Sequence, residues 1–320
     1  MLSVVYVWKR KIFAAVNILS DKTLIPFLIG VLSLIWGSSY ILMTIGLKSF
    51  TPYEVSAFRY VFALLAIAPF AFKKLSEISR SDWPWIMAVT FVGTGFPGII
   101  YPTAVQYVDS SVIGIINALT PLFTLSIGLA IFRLRLTLFK GLGVLLGLLG
   151  AILLILVGSP SGSGTTVSYA LLAVLAPLCY GISTNVIKSK LGHLNPLAIT
   201  MAMFIQLGLL GVLFLAGSPH WKLPMSELSN GVDSMMHLQS IAAMGVLGGL
   251  GTSLALFLFY NLIQRTSAVA ASTVTYMMPL VALFWGNMAG ELIDGWHAVG
   301  MVCIFAGIFL VNRKKGVEQR

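Results

Sequence analysis

Apolar residues occur along this chain in long runs that short polar connections separate. Ten runs are long enough to cross the hydrocarbon core of a bilayer, which takes about 20 helical residues. Their approximate bounds are 24–47, 53–72, 84–107, 111–132, 138–157, 167–188, 196–217, 238–263, 266–288 and 295–312. The pattern predicts an all-α polytopic membrane protein with ten transmembrane helices, named the first to tenth spans below.

The same sequence also contains an internal duplication. Early positions agree at an offset of 144, as in Trp36-Gly37 with Tyr180-Gly181, Ser39 with Ser183, and Thr51-Pro52 with Asn195-Pro196. Later positions agree at an offset of 157, as in Ser110 with Ser267, Gly143 with Gly300, and Gly150 with Gly307. The change of offset places an insertion between residues 217 and 238, which we interpret as an outward-facing loop.

The duplication divides the ten predicted spans into two repeats of five, residues 24–157 and 167–312. Because five is odd, the second repeat must enter the bilayer in the opposite orientation to the first. Inverted repeats of this kind are typical of secondary transporters, which hold their substrate between the repeats near the midplane. The repeat pattern therefore favours a transporter.

Charge assigns an orientation to this arrangement. Of the 20 Lys and Arg residues, 17 fall on the connections of one side and at the two ends of the chain, whereas Lys48 and Lys222 lie on the other side. Short cytoplasmic loops are rich in basic residues, so both termini are expected in the cytoplasm. The membrane itself is expected to be the inner membrane of the cell. The net charge of +10 then reflects orientation and gives no reason to expect a nucleic-acid partner.

Composition excludes a soluble globular protein, since 58% of the residues are hydrophobic, only 9% are charged and the mean hydropathy is +0.95. Residues 1–22 are expected to remain as a cytoplasmic segment, either an amphipathic helix on the membrane or an irregular end, and residues 313–320 form a cytoplasmic tail. The four histidines and two cysteines show no ligand spacing, so no metal or cofactor is expected. The expected partners are the bilayer and a small solute, and a homodimer is left open.

Glu54 and Arg59 are charged residues within the second span. A charge inside a membrane helix is costly and usually faces a partner or a wet cavity. For Arg59, three roles are open: pairing with helix ends as a structural or gating residue, contact with an anionic group of the substrate, and snorkelling to the outer surface. We expect this pair to guard the outer entrance of a pathway. The equivalent positions of the second repeat are Ala198 and Met203.

Uncharged polar residues within the spans are candidates for lining the pathway, although a bond between neighbouring helices is an alternative role for each. Those we single out are Ser38, Ser39, Tyr40, Tyr101, Gln106, Asn117, Asn185, Tyr260, Asn261 and Tyr276. Since almost no acidic residue lies within the spans, this set favours uncharged or zwitterionic solutes. Hinges are expected at Pro97, Pro102, Pro121 and Pro279, where prolines interrupt the spans.

The chain resembles the EamA family of the drug/metabolite transporter superfamily. The resemblance rests on Trp36-Gly37-Ser38-Ser39, on Arg59 followed by an aromatic residue, on Pro121 and Pro279, and on Gly290-Glu291 ahead of the tenth span. It implies two inverted five-helix repeats around a central cavity that the first, third, fourth, sixth, eighth and ninth spans line. It also implies export of amino acids, related metabolites or drugs.

One departure from the family pattern concerns Glu291, a further charge candidate. The family usually has a Glu before the fifth span as well, but this chain has Leu134 between two arginines there. The departure weakens an argument for proton coupling.

Three classes of function remain to be compared. A transporter that exports an amino acid or another zwitterion by alternating access fits the repeats, and a multidrug or other metabolite permease is its alternative. An integral membrane lipid-phosphate hydrolase would need a cluster of acids, histidines or metal ligands, and a receptor or assembly subunit would have no use for inverted repeats. We therefore expect no enzyme.

Orientation provides a direct test of the repeat arrangement. Reporter tags fused to the two ends of the chain should both be accessible only from the cytoplasmic side, because ten spans return the chain to its starting side. Protease accessibility in intact and permeabilised cells measures this. Ends on opposite sides of the membrane would contradict two repeats of five spans.

Overall fold

The computed structural model describes residues 20–132, 164–218, 231–290 and 295–312, together with scattered positions between 139 and 153. Regular structure in this part of the chain is entirely helical. The first repeat contains Asp21–Gly37, Ser39–Gly46, Pro52–Ala71, Phe72–Glu77, Trp83–Thr90, Phe91–Gly95, Phe96–Val105, Ser110–Ile116, Asn117–Leu119 and Thr120–Phe132. The second contains Gly164–Lys190, Pro196–Gly217, Gly231–Gly248, Gly249–Leu254, Ala255–Arg265, Ala268–Ser272, Thr273–Tyr276, Met278–Met288 and Gly295–Asn312.

Joined end to end, these segments give eight helices in the described residues that are long and apolar enough to cross a membrane. They correspond to the first to fourth and sixth to ninth spans. The tenth span is the helix Gly295–Asn312, which contributes a shorter apolar stretch, Gly295–Gly307. Most of the fifth span, residues 1–19, loop residues 219–230, Glu291 and the tail 313–320 lie outside the described residues, so the total of ten stays a prediction.

The second and seventh spans begin in the same way, which explains one of the repeated motifs. Thr51 caps the helix that starts at Pro52, in a capping box with Glu54. Asn195 caps the helix that starts at Pro196 by accepting a hydrogen bond of 2.9 Å from the Leu197 amide. The polar cap accepts a hydrogen bond from an amide in the first turn that has no partner within the helix. Proline is suited to the first helical position, because the amide there would have no such partner.

Contacts between the spans follow the duplication. The second span packs against the seventh and the fourth against the ninth, so each of these pairs joins equivalent helices of the two repeats. The first span packs against the eighth and ninth, and its equivalent, the sixth, packs against the third and fourth. Each of these contacts made by a span of one repeat is therefore also made by the equivalent span of the other. Two repeats related by a two-fold axis have this pattern of contacts.

The repeated glycines Gly37 and Gly181 occupy equivalent contacts between helices. An added Cβ on Gly37 would lie 2.5 Å from the Val281 Cβ in the ninth span. An added Cβ on Gly181 would lie 2.9 Å from the Thr124 backbone nitrogen in the fourth span, and Thr124 is the equivalent of Val281 at the offset of 157. Small residues let membrane helices approach closely, so these glycines recur because the same helix contact is made twice.

Irregular helical segments also recur. The third and eighth spans each contain a π-helical turn, Phe91–Gly95 and Gly249–Leu254. The fourth and ninth spans each contain a 3-10 turn, Asn117–Leu119 and Thr273–Tyr276. Such turns bend a helix and redirect its carbonyl groups.

The four prolines predicted as hinges lie at or near these turns. Pro97 follows the π-helical turn of the third span, and Pro102 lies in the helix after it. Pro121 and Pro279 stand at the second position of the α-helices in the fourth and ninth spans, beyond the two 3-10 turns. Hinge motion at these positions stays a prediction.

Tyr60 joins the second span to the π-helical turn of the third. Its hydroxyl is 2.9 Å from the Thr94 carbonyl oxygen and 3.0 Å from the Gly95 carbonyl oxygen, and it donates to this pair. The ring is buried against Gly98, where an added Cβ would lie 1.8 Å from the hydroxyl. Backbone groups without a partner are costly in a membrane, so Tyr60 stabilises the turn.

We expect Gly37→Ala to destabilise the protein by about 1–3 kcal/mol, since the added methyl group overpacks the contact with the ninth span. Gly30→Ala is the matched control on the same helix, because nothing lies within 4 Å of its added Cβ. Thermal unfolding in detergent measures the difference. Equal melting temperatures for the two variants would show that the close approach at Gly37 is unimportant.

Tyr60→Phe should cost about 1–3 kcal/mol, because it leaves buried carbonyl groups of a π-helical turn without their donor. Hydrogen–deuterium exchange should become faster at residues 91–95 and stay unchanged at residues 249–254. Tyr53→Phe makes the same chemical change on the same helix at a side chain that is 56% exposed, and it should have little effect. Unchanged exchange in Tyr60→Phe would contradict the stabilising role.

Candidate functional site

A cavity of about 760 Å³, including its open part, lies between the two repeats. The first, second, third, fourth, sixth, eighth and ninth spans contribute to its lining. The lining consists of Trp36, Ser39, Tyr40, Met43, Arg59, Gly93, Thr94, Tyr101, Asn117, Thr120, Tyr180, Ser183, Thr184, Ile187, Leu256, Phe259, Tyr260, Thr275 and Met278.

Equivalent positions of the two repeats line this cavity together. The first and sixth spans supply four pairs at the offset of 144, namely Trp36 with Tyr180, Ser39 with Ser183, Tyr40 with Thr184, and Met43 with Ile187. The fourth and ninth spans supply Asn117 with Thr275 and Thr120 with Met278, which match to within one residue at the offset of 157. The cavity therefore lies where the repeats meet.

Aromatic rings form much of the wall and are held by polar bonds. The Tyr101 hydroxyl donates to the Asn117 side-chain oxygen at 2.7 Å, and the Thr120 hydroxyl lies 3.1 Å from the same oxygen. The Tyr40 and Tyr101 rings meet edge to face with centroids 5.6 Å apart. Such a wall presents ring faces and hydroxyl groups, a combination that suits a solute with apolar and polar parts.

Trp36 connects the cavity to the π-helical turn of the eighth span. Its indole nitrogen donates to the Gly251 carbonyl oxygen at 3.0 Å, and its ring contacts Phe259 with centroids 5.0 Å apart. Gly251 is the equivalent of Thr94, whose carbonyl accepts from Tyr60. Both π-helical turns therefore have redirected carbonyls that aromatic donors satisfy.

Arg59 brings a positive charge into this lining. Its side chain is 7% exposed, and its Nε donates to the Thr252 hydroxyl oxygen at 2.6 Å. Thr252 in turn donates to the Leu247 carbonyl oxygen within the eighth span. The Nη1 nitrogen of Arg59 is buried and has no hydrogen-bond partner among the described residues. No acidic side chain belongs to the described lining.

Six of the residues singled out from the sequence meet in the cavity: Arg59, Ser39, Tyr40, Tyr101, Asn117 and Tyr260. They come from the first, second, third, fourth and eighth spans. The first, third, fourth, sixth, eighth and ninth spans, which the resemblance implied, all contribute, and the second adds Arg59.

Other singled-out residues lie outside the lining. Ser38 donates to the Leu34 carbonyl and accepts from the Trp285 indole. Asn185 donates to the Thr124 and Gly181 carbonyls at the contact of the fourth and sixth spans, and Asn261 donates to the Phe257 carbonyl of its own helix. The bonds of Ser38 with Trp285 and of Asn185 with Thr124 join neighbouring helices, the alternative role considered for each, whereas the bond of Asn261 stays within one helix. Gln106 is exposed at the end of the third span and Tyr276 is half-buried.

Glu54 takes a different position from Arg59. It is buried at the start of the second span, where it accepts from the Thr51 amide and hydroxyl, both at 2.9 Å. The Ser218 hydroxyl at the end of the seventh span also donates to it. Glu54 therefore ties two equivalent helices together and does not belong to the cavity lining.

Thr184 and Ser183 are cavity residues that the sequence-based choice of candidates left out. A usable signal was present, because they are the equivalents of Tyr40 and Ser39 at the offset of 144. Applying the repeat to each candidate would have found both. Trp36 and Phe259 were missed for another reason: apolar rings resemble ordinary core residues in a sequence.

Polar contacts tie the repeats together at both ends of the bundle. At the predicted cytoplasmic end, Arg265 pairs with Asp21 at 2.8 Å and the His193 Nε2 lies 3.3 Å from the Asp82 carboxylate. A hydrogen bond from the Ser79 hydroxyl lowers the pKa of Asp82, so its contribution to stability is lost as the pH falls through the folded-state pKa.

At the opposite end, the Ser240 hydroxyl donates to the Ile45 carbonyl oxygen at 2.9 Å. This bond and the bond from Ser218 to Glu54 both cross between the repeats. The cavity therefore lies between two tied ends.

Comparisons with known proteins agree with this architecture. A sequence model of the EamA-like transporter family matches residues 23–156 and 167–313. An uncharacterized transporter of Archaeoglobus fulgidus is 24% identical over 88% of this chain and 95% of its own length. The uncharacterized inner membrane transporter YedA of Escherichia coli is 25% identical over 88% of this chain and 89% of its own.

Two further comparisons extend the likeness. The uncharacterized transporter YoaV of Bacillus subtilis is 22% identical over 90% of this chain and 97% of its own length. A solved crystal structure superposes with a TM-score of 0.61 at 15% identity, covering 92% of this chain and 97% of that one, which shows a shared fold. These relatives are named as transporters and not as enzymes. The chain is thus a multi-pass membrane protein that belongs to the EamA-like transporter family.

Proposed function

We propose that this transporter exports a small metabolite, an amino acid or a related zwitterion, across the inner membrane by alternating access. In this proposal both termini are cytoplasmic and the solute occupies the cavity between the repeats. The observation that carries the proposal is the lining itself, to which equivalent residues of the first and sixth spans both contribute. A site between the repeats can open to either side when they rock against each other.

The chemistry of the lining supports the choice of solute class. Hydroxyl and amide groups such as Ser39, Ser183 and Asn117 offer hydrogen bonds, and aromatic rings offer faces for an apolar side chain or an ammonium group. The described lining has one basic side chain and no acidic one. A purely cationic drug would therefore meet a like charge without a compensating carboxylate, which argues against a multidrug permease.

Alternating access needs contacts that can break at either end. The Arg265 to Asp21 pair and the Ser240 to Ile45 bond are single polar contacts between the repeats at opposite ends of the bundle. The Arg265 to Asp21 pair is partly exposed and contributes little individually. The Ser240 to Ile45 contact is one hydrogen bond, worth about 1 kcal/mol. Their small strength supports a mechanism in which one end opens while the other stays closed.

Transport by purified protein in liposomes tests the proposal. We expect labelled neutral amino acids to exchange across the membrane, and nucleosides and cationic drugs to exchange more slowly, with and without a pH gradient. Transport of cationic drugs in preference to amino acids would favour the multidrug alternative. Flux that requires the pH gradient would indicate proton coupling.

A variant that fills the cavity tests the pathway. Thr184→Phe places a ring in the lining, where it takes space from the solute. A clash of about 1–3 kcal/mol that arises only when solute occupies the cavity corresponds to about 5- to 150-fold slower flux. Thr103→Phe is the matched control, because Thr103 lies outside the lining and its hydroxyl donates to a carbonyl of its own helix. Equal flux in both variants, at equal thermal stability, would contradict passage through this cavity.

A further inference from the structure

We propose that Arg59 binds the anionic group of the transported solute, and that the solutes are small carboxylates with an apolar body, α-amino acids among them. The inference rests on the proposed function and names the residue that selects the substrate. The inference concerns the guanidinium group of Arg59. The protein fixes its position, but not all of its N–H donors have a hydrogen-bond acceptor among the described residues.

The positioning comes from one bond. The Nε of Arg59 donates to the hydroxyl of Thr252 in the π-helical turn of the eighth span, at 2.6 Å. Thr252 itself donates to the Leu247 carbonyl oxygen in the α-helix before that turn. A guanidinium group is planar, so fixing Nε limits where the other two nitrogens can point. Arg59 thereby presents its remaining donors to the cavity in a restricted range of directions.

The donor without an acceptor is the Nη1 nitrogen of Arg59. This nitrogen is buried and has no hydrogen-bond partner in the part of the chain that the structure describes, and the side chain as a whole is only 7% exposed. The ion pairs among the described residues involve Lys74, His193 and Arg265, and none involves Arg59. A buried charge without a counter-charge is expensive, so an anion that enters the cavity relieves a cost that the empty protein carries.

The surroundings favour a carboxylate on a small apolar molecule. Arg59 shares the cavity lining with the rings of Tyr40 and Tyr180. Guanidinium groups bind carboxylates and phosphates through paired hydrogen bonds. The rings of Trp36 and Phe259 supply apolar area in the same cavity. A multiply charged phosphate would find no second basic side chain in the described lining.

The repeat does not duplicate Arg59, so the charge in the cavity lining is asymmetric. Its equivalent, Met203, is fully buried and lies outside the lining, where its sulfur accepts a hydrogen bond of 3.0 Å from Tyr260. Four pairs of lining residues in the first and sixth spans are related by the repeat. The positive charge of Arg59, by contrast, comes from the first repeat and has no counterpart in the second. A zwitterion is therefore expected to bind in one orientation.

Matched pairs of compounds test the inference by binding, independently of transport. Purified protein in lipid nanodiscs is titrated with phenylalanine and phenylalaninamide, and with phenylacetate and phenylacetamide, while thermal unfolding is followed. We expect the two carboxylates to raise the melting temperature and the two amides to have little effect. In Arg59→Gln the affinity for the carboxylates should fall by about 10- to 150-fold, the range for a hydrogen bond to a charged group.

Two further variants separate binding from a structural role. Arg59→Lys keeps the charge and should retain part of the preference for carboxylates, whereas a residue that serves only to hold Thr252 would give no such preference. Lys48→Gln removes an equal charge from an exposed position outside the lining and should leave affinities unchanged. A loss of the carboxylate preference in Arg59→Gln, with folding intact, supports the proposal.

Several outcomes would overturn it. Carboxylates and amides that stabilise the wild type equally, or that fail to stabilise it at all, would remove the anion contact. A response to phenyl phosphate, chloride or anionic phospholipid as strong as that to phenylacetate would indicate a general anion or lipid site. Failure of the proposed function is distinguishable, because the carboxylate preference would then persist in nanodiscs while liposomes show no flux.

Discussion

The satisfaction of backbone carbonyl groups inside the membrane is the constraint on which this structure depends. A π-helical turn redirects carbonyls away from their usual partners, and the bilayer offers no water to replace them. Tyr60 donates to Thr94 and Gly95 in the third span, and Trp36 donates to Gly251 in the eighth. Side chains of the first and second spans therefore stabilise bends in the helices that border the cavity.

Arg59 and Tyr60 show how one short segment serves both repeats. These neighbours on the second span contact the π-helical turns of two different helices, Arg59 through Thr252 and Tyr60 through Thr94. The second span also packs along the seventh, its equivalent. A shift of the second span would thus change both bent helices together, which couples the geometry of the cavity to the position of a single helix.

Much of the fold was predictable because it depends on periodic features of the sequence. The apolar runs predicted the helical membrane fold, and the Thr51-Pro52 and Gly37 matches marked a helix start and a helix contact that both occur twice. The cavity was predictable only in part. Tyr101 and Asn117 line it, whereas Asn185 and Asn261 bond to nearby carbonyls, and polarity alone does not distinguish these two uses of a side chain.

The paired contacts at Gly37 and Gly181 have a mechanical consequence. At each one, an added Cβ would lie less than 3 Å from the neighbouring helix, so the glycine leaves no side chain of its own between the two helices. Such a junction resists compression and sliding, but it permits rotation about the point of touch. Two of them, related by the duplication, would act as a pair of pivots, so that tilting can proceed without the helices separating and admitting lipid.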